Sequence, residues 1–265
     1  MYFESLWNEF SKIPEVEAIA LGGSRAGMNY DEKSDYDMYV YCNRIPEETV
    51  RKTILEKYCQ YMEIGNSFWE LEDDCTLKDG VDIDILYRNM EDFSQTVQSV
   101  VEGHVAYNGY TTCMWHNLLH SQILYDKSGK FASLQSRYQV PFPDELRDNI
   151  VKKNLRLLTG NLPSYDSQIK KAAMRGDWVS VNHRTAAFLE SYFDIIFALN
   201  KLTHPGEKRM VQYAKEQAKV LPAGFEENIN KLFQNLFTDS DKSLQILAEM
   251  IAELEKIFQY GINKK

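Results

Sequence analysis

Gly22, Gly23 and Ser24 follow the apolar run Ala18-Ile19-Ala20-Leu21, and ten residues separate Ser24 from Asp35. Asp35 and Asp37 stand one aromatic residue apart and lead into Met38-Tyr39-Val40-Tyr41. A strand that ends in Gly-Gly-Ser and opens a helix exposes free backbone N–H groups, and glycine lets that backbone approach phosphate oxygens closely. The Ser24 hydroxyl can donate to phosphate, with Arg25 close by in sequence. Alternation along a strand puts Asp35 and Asp37 on one face, with Cα atoms about 6.5–7 Å apart. Were their oxygens to converge to about 4 Å, repulsion would be on the order of 4 kcal/mol at an effective dielectric near 20. A divalent cation removes that cost, and an all-oxygen site suits Mg2+. Together the two features point to chemistry on a nucleoside triphosphate. Taken singly, each is also an ordinary serine-capped turn and a solvated Asp-x-Asp pair.

A third acidic segment, Val81-Asp82-Ile83-Asp84-Ile85-Leu86-Tyr87, alternates apolar and acidic residues. Asp82 and Asp84 share a face, and either would complete a three-carboxylate cluster beside the Asp35/Asp37 strand. Asp84 is preferred because the apolar strand continues past it; Asp82 remains the alternative.

The elements that must position these residues follow from periodicity. The spacing predicts a helix over 2–12 and strands over 16–21 and 35–41. It predicts a helix from Pro46 to about Ile64, then strands over 68–72 and 81–87 around a Lys78-Asp79-Gly80 turn. From about Met90 helices dominate: 91–102, 111–125, 144–160, 163–175, 178–202, 207–220, 224–237 and 240–259. The expected architecture is α+β: a mixed sheet with flanking helices over residues 1–140, then an all-helical bundle over 141–265, divided at Gln139-Val140-Pro141-Phe142-Pro143.

Composition narrows the function classes. Hydrophobic residues make up 44% and charged residues 26% of the 265, as in ordinary globular proteins. No apolar run approaches the roughly 18–20 residues of a membrane span. The N-terminus has neither a basic segment nor an apolar signal core, and the four cysteines form no Cys-x-x-Cys pair. Reduced thiols in the cytoplasm are the expectation. The net charge of −9 disfavours nucleic acid and anionic membrane and favours a neutral or cationic small molecule.

The ordered set resembles the nucleotidyltransferase superfamily: an apolar residue, Gly, Gly or Ser, a spacer of about nine to thirteen residues, Asp-x-Asp, then an acidic residue in a later apolar strand. Gly23, Ser24, Asp35 and Asp37 fit that pattern. The motif covers residues 18–87, and the helical remainder is similar to the accessory domain of antibiotic nucleotidyltransferases of the lincosamide and aminoglycoside type. The resemblance implies two Mg2+ ions held by Asp35, Asp37 and the third carboxylate, which would also help deprotonate an acceptor hydroxyl. Gly22, Gly23, Ser24 and Arg25 would hold the β- and γ-phosphates of ATP or another nucleoside triphosphate, and pyrophosphate would leave. Two other readings stand beside it: transfer to a protein side chain, as in antitoxin-type relatives, and a non-catalytic nucleotide-binding module.

Other features rank lower. His116 and His120 are four apart but lack the Glu of His-Glu-x-x-His and any third ligand, so zinc is not expected. The turn around Pro205-Gly206 is expected to present Asn200, His204, Lys208 and Arg209, with Lys208 the preferred phosphate contact from the helical half. Trp69, Trp115 and Trp178 could stack on a base or serve as core. The run Glu70, Glu72, Asp73, Asp74 could attract a cationic acceptor, but reads first as a solvated loop.

Overall fold

The computed structural model describes residues 2–26, 34–68 and 70–262, with backbone only for Ser24 and 259–262. The chain divides into two compact units: Met1–Gln98 with Asn117–Val140, and Ser99–His116 with Pro141–Lys265.

The first unit is built on a six-stranded mixed sheet in the order β3-β4-β5-β2-β1-β6. Its strands are β1 Val16–Gly22, β2 Tyr36–Cys42, β3 Cys59–Asn66, β4 Leu71–Leu77, β5 Asp82–Asn89 and β6 Gln122–Asp126. All pairings are antiparallel except β2 with β5, which run parallel. Strand β1 is buried along its whole length, Glu17 included, as a strand covered on both faces is. Helices α1 (Tyr2–Phe10) and α3 (Glu48–Tyr58) send Leu6, Phe10, Ile54 and Leu55 into the core with Met38, Val40, Ile83 and Ile85. Directly after β1 comes a helical turn, α2 (Gly23–Ala26). On the opposite sheet face Tyr41 packs on Phe93 of α4 (Met90–Val101) and Phe131 of α6 (Lys130–Tyr138).

Three expected elements differ. The helix expected to reach Ile64 ends at Tyr58, because from Cys59 the chain pairs with β4, Met62 and Ile64 packing against the core while Tyr61 and Glu63 face away. The strand expected over 68–72 instead runs from Leu71 to Leu77, which carries the acidic run into the sheet. Asp73 is fully buried there, compensated by an ion pair to Arg51, the Tyr87 hydroxyl at 2.8 Å and the Gly65 N–H at 2.9 Å. The helix expected over 111–125 stops at His120 as α5 (Cys113–His120), and Gln122–Asp126 becomes a strand covering the free edge of β1.

The second unit is helical. Its elements are α7 Asp144–Leu158, α8 Tyr165–Met174, α9 Trp178–Leu199, α10 Met210–Gln217, α11 Phe225–Asn235 and α12 Ser240–Ile262. Helix α9 is central, with Phe188, Tyr192, Ile195 and Ile196 buried, and its start is capped by Asp177, which accepts from the Ser180 N–H at 3.1 Å. Asp194 of α9 is buried and accepts from the Thr111 N–H at 3.0 Å, the Thr111 hydroxyl at 2.7 Å and Asn154 Nδ2 at 3.1 Å. Burial raises its carboxyl to about 7 against the pull of those donors. No helix among the described residues is long and apolar enough to cross a membrane.

Candidate active site

The site grows from the end of β1. Gly23 takes a left-handed φ of 59°, and a Cβ there would overlap the Asp37 carboxylate. A Cβ on Gly22 would overlap the Tyr39 ring. Glycine is therefore demanded twice, for close approach at both positions and for backbone conformation at Gly23. The Ser24 side chain and residues 27–33 lie outside the described residues. Arg25 Nε donates to the Ser34 carbonyl at 2.6 Å, and its guanidinium lies 4.0 Å over the Tyr36 ring, itself stacked on Phe3. Arg25 thereby braces the start of β2.

Strand register aligns the carboxylates. Gly22 pairs with Asp37, Asp37 with Asp84, Asp84 with Asp74, and Asp74 with Glu63. Four acidic residues thus stand side by side on adjacent strands, with backbones about 4.8 Å apart, in a row that ends at the glycine turn. The register sets Asp84, not Asp82, opposite Asp37. Asp82 is exposed and accepts from the Thr76 hydroxyl at 2.8 Å. Asp35 stands just before β2, and with Glu63, Asp74, Asp82 and Asp84 it lines a cleft of about 470 Å³.

Electrostatics record the crowding. Burial, followed by the charges of Asp37, Asp74 and Asp35, raises the Asp84 carboxyl from 3.8 to about 6. Arg88, farther along β5, is committed to other partners. Arg88 is buried and engaged by Glu70 at 2.6 and 2.7 Å, by Asn117 at 2.7 Å and by the Tyr41 hydroxyl at 3.2 Å. Its guanidinium also lies 4.3 Å over Tyr39. Among the described residues no three His, Cys, Asp or Glu side chains converge in a geometry that holds a metal. The donor set nevertheless fits a hard divalent cation in chemistry: oxygen ligands only, with mutual repulsion that such a cation relieves.

The sequence alone does not place Glu63 or Asp74 in the carboxylate row, because β3 reads as helix and the run that holds Asp74 reads as a solvated loop. The period-two alternation of Asp73, Cys75 and Leu77 is the signal, hidden by Asp73, whose charge only the distant Arg51 neutralises.

Several other candidates find structural places. Lys208 is exposed in the turn before α10, in the helical unit. Of the neighbours expected beside it, Asn200 is not presented but ties α9 to the Val220 backbone, accepting at 2.9 Å and donating at 2.8 Å. His204 is buried between Tyr110 and Phe197, its Nδ1 accepting from the Gly206 N–H at 3.1 Å, and burial depresses it to about 3. His116 Nδ1 bonds the Thr203 hydroxyl at 2.7 Å. Trp115 is core, packed on Phe142, and Trp178 meets Phe237 at the surface; Trp69 lies outside the described residues.

A family model described as a domain of unknown function (DUF4037) matches residues 110–210. No curated protein matches the sequence. Among solved structures, the chain is similar to a nucleotidyltransferase-like protein from Exiguobacterium sibiricum, at 11% identity over 96% of this chain and 72% of that one, with a TM-score of 0.43. It is also similar to an aminoglycoside 6-adenyltransferase from Bacillus subtilis, at 11% identity, 98% and 89% coverage and a TM-score of 0.35. A third similar structure is the CCA-adding enzyme of Thermotoga maritima complexed with tRNA, at 10% identity, 99% and 81% coverage and a TM-score of 0.31. At these scores the case for the chemistry rests on this chain's own turn and strand register.

Proposed function

We propose that the chain transfers a nucleoside monophosphate from a nucleoside triphosphate, ATP foremost, to a hydroxyl of a small neutral or cationic acceptor. The observation that carries this reading is the register row Gly22–Asp37–Asp84, which joins a glycine turn to two facing carboxylates. Asp35, Asp37 and Asp84 would hold divalent cations, Mg2+ by their oxygen chemistry. When bound, these would stabilise charge on the attacking and leaving oxygens at the α-phosphorus. The Gly22-Gly23 backbone would admit the β- and γ-phosphates, with the Ser24 hydroxyl as a further donor. Asp84, facing Asp37 across the β2–β5 ladder, would also help deprotonate the acceptor hydroxyl. The acceptor oxygen then bonds the α-phosphorus, the bond to the β-phosphate bridging oxygen breaks, and pyrophosphate leaves.

The acidic cleft beside this row supports an acceptor bearing amino groups, of aminoglycoside-like or lincosamide-like character. Glu63, Asp74 and Asp82 supply negative charge beyond the three carboxylates needed for cations.

The test is pyrophosphate release from each nucleoside triphosphate with Mg2+ across a panel of hydroxyl-bearing acceptors, with adducts identified by mass. Asp37→Asn and Asp84→Asn are expected to lower release by about a hundredfold or more, as removal of charge-stabilising groups does. Release equal to wild type in either variant, or none from wild type with any acceptor, overturns the reading. Adducts found only on protein would move the acceptor from small molecules to side chains.

A further inference from the structure

We propose that the helical unit carries a binding site of its own for a small phosphate monoester, in a cleft of about 590 Å³ between α7, the 104–108 loop and the 161–163 turn. That volume lies within the range of small-molecule pockets. Asn149, Lys152, Lys153 and Arg156 of α7 line it at spacings that place them on one helix face. Lys152, Lys153 and Arg156 are exposed, and among the described residues none of them pairs with a carboxylate. The acids of the same helix are used elsewhere. Asp144 meets Arg147 and Lys201 at 2.8 Å, Asp148 meets Arg147, and Glu145 meets His104 at 3.2 Å. In a chain of net charge −9, three uncompensated cations within little more than one helical turn repel one another, and a bound anion relieves that repulsion.

The facing wall is organised in advance. Asn149 Nδ2 donates to the His104 carbonyl at 2.9 Å, and His104 is held in the left-handed region at a φ of 53°. Asn154 Nδ2 donates to the Tyr107 carbonyl at 3.1 Å, and its Oδ1 accepts from the Gly109 N–H at 3.1 Å. This loop is thereby fixed to α7, so a ligand need not pay to order it. The chemistry of the lining selects the ligand. Lysine and arginine suit phosphate oxygens, with arginine able to bind them in a bidentate fork. The Asn108 and Asn161 amides suit hydroxyl or carbonyl groups. Leu162, 83% exposed at the rim, offers an apolar shelf to a ring. A phosphate joined to a polar ring uses all three features; free phosphate uses one.

The test is isothermal titration of the full chain in EDTA, which removes cation-dependent binding, with AMP, ribose 5-phosphate and inorganic phosphate as probes. The expected result is one-to-one binding of a phosphate ester, weakening with salt and tighter than inorganic phosphate. The Lys152→Glu/Arg156→Glu variant should weaken it at least about tenfold, the equivalent of one lost charge-assisted contact. Asp37→Asn should bind as wild type does. Lys153→Glu provides a second variant, and circular dichroism confirms that each is folded. Absence of ester binding at millimolar concentration, equal binding by the double variant, or inorganic phosphate binding as tightly as both esters would each overturn the proposal.

Discussion

The Asp37 carboxylate occupies the place where a Cβ of Gly23 would stand. The turn and the carboxylate strand are therefore fitted to each other. Gly23→Ala must both strain a left-handed backbone and displace Asp37, and is expected to destabilise by on the order of 1–3 kcal/mol. It should also abolish nucleotidyl transfer. Gly80→Ala is the matched control: its φ is 86°, but nothing lies within 4 Å of an added Cβ. Urea melts should show destabilisation in both variants, with pyrophosphate release lost only in Gly23→Ala.

Asp84 ionises near 3.8 when unfolded and near 6 in the fold. Between those values the folded chain binds the extra proton, so this group's stabilisation is complete below about 4 and lost as pH rises through about 6. In metal-free buffer the stability of wild type relative to Asp84→Asn should fall across that window. Added Mg2+ should reverse the fall, since cation and proton compete for the same carboxylate. Denaturant melts at stepped pH, with and without Mg2+, measure both effects.

Asp74 pairs directly with Asp84 and contributes to raising it. Asp74→Asn removes one like charge, so the Asp84 carboxyl should move down toward the ordinary carboxylate range. Carboxyl carbon NMR titration reads this shift directly. An unchanged Asp84 would mean that burial and the charges of Asp37 and Asp35 set its value without Asp74.

Arg51 is 4% exposed and neutralises the fully buried Asp73 beneath the site. Arg51→Met should cost about 3–5 kcal/mol, because it leaves a buried carboxylate with only the Tyr87 hydroxyl and the Gly65 N–H. Arg51→Met/Asp73→Leu should recover much of that loss. Equilibrium unfolding of the two variants and wild type provides the comparison.

The parts of this architecture set by local chemistry were legible in the sequence. The β1 run, the glycine turn, Asp35, Asp37 and the alternation around Asp84 announce themselves within a few residues, as does the apolar stripe of α9. What escaped depends on distant partners. β3 reads as the tail of a helix until β4 lies beside it, and β4 reads as loop because Arg51, its counter-charge, sits on α3. β6 is too short to distinguish from the end of α5 until β1 requires an edge partner. The place of Glu63 and Asp74 in the carboxylate row is hidden for the same reason: they join it only through ladders that no single segment displays.

The parallel pairing of β2 with β5 has a consequence for the order of assembly. β3, β4 and β5 are consecutive and antiparallel, so Glu63, Asp74 and Asp84 can align through short-range contacts. Asp37 joins them only when the span from Asn43 to Val81 closes as one loop, which makes β2–β5 docking the slower step. Pulse-labelled hydrogen exchange during refolding should therefore protect β4 amides before the amides that bond β2 to β5. A refolding chain would hold an acidic three-strand meander before the glycine turn stood beside it, and the complete carboxylate row would arrive in a single late event.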